Sequence, residues 1–227
     1  MPTRVFLVRH GATTLSAEDR FAGDTEVDLS EEGREQLHHL AARLAREPLA
    51  AVCASPMRRT LESARILAAP HGLSVRPVAG FREISHGRWE ARTRAEVEAL
   101  WPDEYACWER DPYTFAPKGG ETGLAVTARA LPALVSLVNE CSGRSILVVS
   151  HKATIRLLLS ALIGFDPRTY RDRLDQSPAC LNVLDFRDPS QARLTLFNDV
   201  SHWAHAGASA PALPKGRLSK WWDEPPI

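Results

Sequence analysis

Short, continuous apolar runs alternate along this chain with longer stretches whose apolar residues recur every three or four positions. VFLVR near the start and ILVVS after residue 145 are β-rich blocks of the first kind. Strands are predicted near 3–9, 50–54, 74–78 and 145–150. A further pair near 180–187 and 192–198 is joined by the turn-like RDPSQA and reads as a hairpin. The helical periodicity falls at 30–47, 57–69, 93–101, 122–141 and 153–163. Strands and helices in alternation predict an α/β fold with a mixed or parallel sheet covered by helices.

Two regions stand outside that alternation. Residues 89–115 concentrate Trp89, Trp101, Tyr105, Trp108, Tyr113 and Phe115 in one connection. It reads equally as a lid or substrate wall and as a small helical subdomain with its own aromatic core. Residues 204–227 are rich in Ala, Pro, Gly and Ser and read as a tail, which Trp221 and Trp222 would dock. The expected organisation is one domain over 1–203, with a cap insertion at 88–118, and then the tail.

Composition narrows the class. A chain of 227 residues buries roughly 70% of its unfolded surface when it folds as one domain. Lys plus Arg and Asp plus Glu number 28 each, so the formal net charge is zero. That balance argues against a general nucleic-acid or membrane-surface binder and requires any anion site to be built locally. Cys53, Cys107, Cys141 and Cys180 are widely spaced, without a CxxC pair, and read as reduced thiols. No charged-then-apolar leader and no uninterrupted apolar stretch of membrane-spanning length is apparent. A cytoplasmic protein is expected, with a homodimer as the default assembly.

The candidate chemistry sits where strands give way to helices. The first apolar run closes on Arg9 and His10, the later one on His151 and Lys152. Open α/β sheets present ligand groups at such ends. A third junction, Ser55-Pro56-Met57-Arg58-Arg59, reads as an N-cap at Ser55 and a first helical residue at Pro56, with two arginines in the first turn. Cations there work against the helix dipole, which makes sense if arginine and free N–H groups hold an anion together. Arg9, His10, Arg59 and His151 therefore point to a compact anion, and phosphate is the natural candidate. A neutral imidazole flanked by cations is a nucleophile toward phosphorus, and the cations neutralise the transferring group. The leaving alkoxide needs a proton, and Glu83 in FREI, after the third strand, is the carboxylic acid best placed to supply it.

These residues fall in an ordered set of motifs: LVRHGATTLSAEDRFAGDTEVDLSEEGREQ, ASPMRRTLESA, REISHGRWEA, PKGGET and VVSHKATIR. The chain resembles the histidine phosphatase superfamily, also called the phosphoglycerate mutase-like family, over about residues 3–203. The resemblance implies a three-layer sandwich with a mostly parallel central sheet flanked by helices. It implies that His10 attacks phosphorus, that Arg9, Arg59 and His151 clamp the phosphoryl oxygens, and that Glu83 protonates the leaving group. Alignment of the second motif selects Arg59 over Arg58. Substrate contacts are implied at Ser16, Phe21, Ala22 and Gly23 of the first motif, and Glu121 of GGET is expected to orient the substrate or a nearby arginine. No metal and no cofactor is implied, and no His/Cys/Asp cluster has metal-ligand spacing.

Four positions depart from the family's usual residues: Ala12, Ser16, Ala91 in place of a glycine, and Lys152 in place of a small or amide residue. Lys152 either adds a cation for a second acidic group or faces solvent. The stretch between Glu83 and His151 is too short for the insertion of glycolytic mutases. A phosphatase acting on a small phosphomonoester is therefore expected, ahead of a mutase or a non-catalytic binding protein.

Overall fold

The computed structural model describes residues 1–14 and 20–204; Ser16 and the tail beyond 204 lie outside the described residues. Six strands form one sheet: β1 (Thr3–Arg9), β2 (Leu49–Ala54), β3 (Val75–Pro77), β4 (Ser145–Ser150), β5 (Leu181–Asp188) and β6 (Gln191–Asp199). Their order is β3-β2-β4-β1-β5-β6. The first four run parallel, while β5 pairs antiparallel with β1 and forms the expected hairpin with β6. The result is an α/β sandwich around a mixed, mainly parallel sheet.

The period of two along β1 and β4 explains how both faces are covered. Val5, Leu7, Ile146 and Val148 point into one core, with Leu134 of α5 (Gly123–Glu140) and Leu158 of α6 (Lys152–Ile163). Phe6, Val8, Leu147 and Val149 point the other way, against Leu37 and Leu40 of α1 (Glu31–Leu44) and Leu67 of α2 (Arg58–Ala68). Each such side chain, fully buried, contributes about 1.5–3 kcal/mol. No helix among the described residues is long and apolar enough to cross a membrane.

The sheet topology positions the site. From β1 the chain crosses to β2 on one side of the sheet, and from β4 it proceeds toward β5 on the other. The adjacent ends of β1 and β4 are therefore a switch point, where an open sheet leaves a crevice. Their register pairs Arg9 with Ser150, so His10 and His151 leave neighbouring strands side by side.

The aromatic connection contains two helices, α3 (Arg94–Leu100) and α4 (Pro102–Arg110). The sequence pattern predicts only the first. Pro102 does not merely stop α3; its missing N–H suits the opening turn of a second helix. Trp89, Tyr105 and Trp108 pack with Phe21 and Val97 into a separate aromatic core. Trp108 of this segment, with Phe21, also lines the cavity that holds His10.

Ala91 precedes α3 in the left-handed region, at φ +63°. Its N–H donates to the Phe21 carbonyl at 2.8 Å, which holds it there. A side chain in this conformation costs roughly 1–2 kcal/mol. Ala91→Gly is expected to raise the melting temperature by about 2–4 °C in a thermal scan, since part of the gain is returned as entropy of the unfolded chain. An unchanged or lower midpoint would show that the loop relaxes around alanine.

Candidate active site

His10 follows β1, with its N–H donating to the Ser150 carbonyl at 3.1 Å and its carbonyl accepting from Ala179 N–H at 3.0 Å. Its ring Nδ1 lies 2.8 Å from the Gly11 carbonyl oxygen. A carbonyl only accepts, so Nδ1 carries the proton and Nε2 keeps its lone pair. The turn that aims this carbonyl depends on Gly11, where a Cβ would stand 2.5 Å from the Gly33 carbonyl oxygen of α1. Burial, and then the charges of Arg59 and Arg9, hold the imidazole well below the ordinary histidine range. His10 is therefore a neutral imidazole, only 6% exposed, that still lines the cavity.

Arg59, in the first turn of α2, is 3% exposed and has all three guanidinium nitrogens engaged. Nε donates to His151 Nδ1 at 3.3 Å, and the other two donate to the Thr25 and Gly23 carbonyls at 2.8 and 2.9 Å. None of these hydrogen-bond acceptors is a carboxylate. Arg58 turns outward to Asp28 at 3.2 Å, and its backbone N–H donates to Glu26. That acid at the helix start offsets part of the dipole penalty of two arginines.

His151 is fully buried, with its ring centroid 5.3 Å from that of His10. Nδ1 accepts from Arg59, so Nε2 bears the proton and donates to Ser55 Oγ at 2.8 Å. Burial and Arg59 hold this imidazole too well below its ordinary range. His151 does not line the cavity; it meets it through Arg59. The expected N-cap at Ser55 is corrected here. Helix α2 begins at Arg58 with Met57 as its cap, because the Ser55 hydroxyl is committed to His151.

Arg9 donates to the Gln176 carbonyl at 2.6 Å, and its Nε is buried without an acceptor. Glu83 is 8% exposed and caps α6 from another segment. Oε2 accepts from Ala153 N–H at 3.1 Å. Oε1 accepts from Thr154 N–H, the Thr154 hydroxyl and Ile84 N–H at 3.0–3.1 Å. The helix start lacks a side-chain cap of its own, and Glu83 takes up its first free N–H groups.

Arg9, His10, Arg59 and Glu83 thus converge on one cavity of about 210 Å³, together with Phe21, Ala22 and Lys152. Gly23 is not in its wall. Its carbonyl anchors Arg59, and a Cβ there would stand 2.0 Å from the Ile84 carbonyl oxygen. Glu121 is not in the wall either. It forms a paired contact with Arg129 at 2.8 and 2.9 Å, and that guanidinium donates to the carbonyls of Gly80, Arg82 and Glu83. The arginine that Glu121 is expected to orient is thus Arg129. His86, Arg94, Arg156, Tyr170 and Arg171 line the cavity and are missed by the motif analysis. Arg156 alone had a usable signal, standing one helical turn beyond Lys152.

The sequence model of the histidine phosphatase superfamily (branch 1) matches residues 5–200. The chain is 34% identical over 168 residues to glucosyl-3-phosphoglycerate phosphatase of Mycolicibacterium vanbaalenii, covering 71% of this chain and 74% of that one. It is 31% identical over 163 residues to phosphoserine phosphatase 1 of Hydrogenobacter thermophilus, covering 72% and 77%. The solved structure of Bacillus stearothermophilus YhfR superposes with a TM-score of 0.82 at 28% identity, over 88% of this chain and 98% of that one. With residues of four of the five motifs lining one cavity and a family match over residues 5–200, the chain belongs to the histidine phosphatase superfamily.

Proposed function

We propose that this chain is a phosphomonoesterase that hydrolyses a small phosphorylated metabolite through a phosphohistidine on His10. The observation that carries this reading is a neutral imidazole whose Nε2 has no hydrogen-bond partner among the described residues, on a residue that lines a cavity with Arg9, Arg59 and Glu83. The phosphatase names of two relatives support hydrolysis over other chemistry.

In the first step Nε2 of His10 attacks phosphorus and the bond to the ester oxygen breaks. Arg9 and Arg59 balance the charge on the phosphoryl oxygens, the main catalytic contribution in such transfers. Glu83 delivers a proton to the departing alkoxide from Oε2, which accepts one hydrogen bond among the described residues. In the second step Glu83 takes a proton from water, the resulting hydroxide attacks phosphorus, and the P–N bond returns its electron pair to Nε2. His151 keeps Arg59 aimed. To donate directly to a phosphoryl oxygen, its Nε2–H must leave Ser55.

Incubating the protein with 3-phosphoglycerate and with p-nitrophenyl phosphate tests the proposal. Release of free phosphate from either supports it, and isomerised phosphoglycerate with little free phosphate favours a mutase instead. The role of Glu83 has its own signature, because nitrophenolate leaves without a proton and an alkoxide does not. In single turnovers, Glu83→Gln is expected to slow attack on an alkyl phosphate by roughly 10²–10⁴-fold. It should slow attack on p-nitrophenyl phosphate by only about tenfold. Equal losses on both would remove Glu83 as the acid.

A further inference from the structure

The cavity holds more positive charge than one phosphoryl group calls for. Arg9 and Arg59 stand with His10. A second set, Lys152 and Arg156 of α6 and Arg171 of α7 (Tyr170–Arg173), lines the same space. Arg156 is 3% exposed; its terminal nitrogen reaches Asp175 at 3.3 Å, while its Nε has no acceptor. Arg171 is 6% exposed and pairs with Glu109 at 3.1 Å, and its Nε is likewise without an acceptor. The Lys152 ammonium has no hydrogen bond or ion pair among the described residues. Lys152 and Arg156 lie one turn apart on α6 and share a face, and Arg156 pairs with Asp175. Burial, and then Arg156 and Arg9, bring Lys152 down to about 7. Two cations side by side on one helix face, in the wall of a cavity that already holds Arg9 and Arg59, form the receptor for an anion that is not the reacting phosphoryl group.

We infer that Lys152, Arg156 and Arg171 form a subsite for a second acidic group, so that the preferred substrate is a small phosphomonoester carrying a carboxylate or a second phosphate. This inference rests on the hydrolytic reading for the word substrate, though not for binding. The Arg171 guanidinium, held 3.7 Å from the Trp108 ring centroid, ties the subsite to the aromatic wall and fixes its position.

Calorimetric affinities in a His10→Ala background, with and without Lys152→Met, test it on three probes. These are glycerol 3-phosphate, 3-phosphoglycerate and 1,3-propanediol bisphosphate. At least one diacid is expected to bind at least tenfold more tightly than glycerol 3-phosphate. Lys152→Met should erase most of that advantage and Lys152→Arg should retain it. An advantage confined to the carboxylate or to the bisphosphate identifies the second group. Equal affinity for all three probes, or an advantage that survives Lys152→Met, overturns the subsite. If the unaltered protein hydrolyses no ester while the Lys152-dependent advantage persists, the subsite stands and the hydrolytic reading falls.

Discussion

Replacing His10 with alanine is expected to lower phosphate release from p-nitrophenyl phosphate by roughly 10⁴-fold or more, because it removes the atom that bonds to phosphorus. The variant should fold, since the lost ring contributes one short-range bond to Gly11 and lies beside open space. The same geometry sets the pH behaviour of the nucleophile. His10 is held below its ordinary range by burial, Arg59 and Arg9, so its folded form binds its proton only at lower pH. Its imidazole resonances should therefore not titrate between pH 8 and pH 6 by NMR. An ordinary imidazole, at about 6.5, would titrate across that interval. The linked stability has the opposite convenience: the neutral rings of His10 and His151 favour the fold above about 6.5, and that support is lost as the pH falls below it.

The second large effect is on stability. Lys152 opens α6, where the helix dipole disfavours a cation, and burial, Arg156 and Arg9 outweigh the attraction of Asp175. A lysine brought from 10.5 to about 7 is a charge the fold opposes. Allowing for its partial exposure, Lys152→Met should stabilise the unliganded protein by about 2–4 kcal/mol at neutral pH. That corresponds to a rise of roughly 5–10 °C in melting temperature. The sign can be checked directly. The folded-state value is depressed, so the penalty is complete below about pH 7 and fades as the pH rises toward 10.5, where both states are neutral. The gap between variant and parent should thus be wide at pH 6.5 and narrow at pH 10. A constant gap would assign the gain to methionine's apolar packing. A protein that keeps such a residue against its own stability has a use for it, as the second-anion subsite supplies.

Much of the architecture was legible because β1 and β4 are uninterrupted apolar blocks and the helices between them have clear periodicity. The pairing of Arg9 with Ser150 then follows from placing those blocks side by side, and with it the adjacency of His10 and His151. Arg59 was separable from Arg58 by motif alignment, and the structure turns one inward and the other out. Other features depend on partners remote in the chain. Ser55 has the residue type and position of an N-cap, yet its hydroxyl is taken by a histidine 96 positions away. His151 reads as a phosphate ligand, but both ring nitrogens are occupied by protein groups. Glu121 acts two links from the cavity, through Arg129. Tyr170 and Arg171 come from a helix too short to leave a periodic signal. Each of these is a matter of which donor meets which acceptor, and that information arises only when the strands are assembled.

The central claim is that phosphorus passes through His10 on its way to water. A phosphorothioate ester made chiral at phosphorus with oxygen isotopes reports this in one measurement of the released thiophosphate. Two successive in-line displacements, first by Nε2 and then by water, predict overall retention of configuration. Net inversion would mean that water attacks the ester directly, and the phosphohistidine would be excluded.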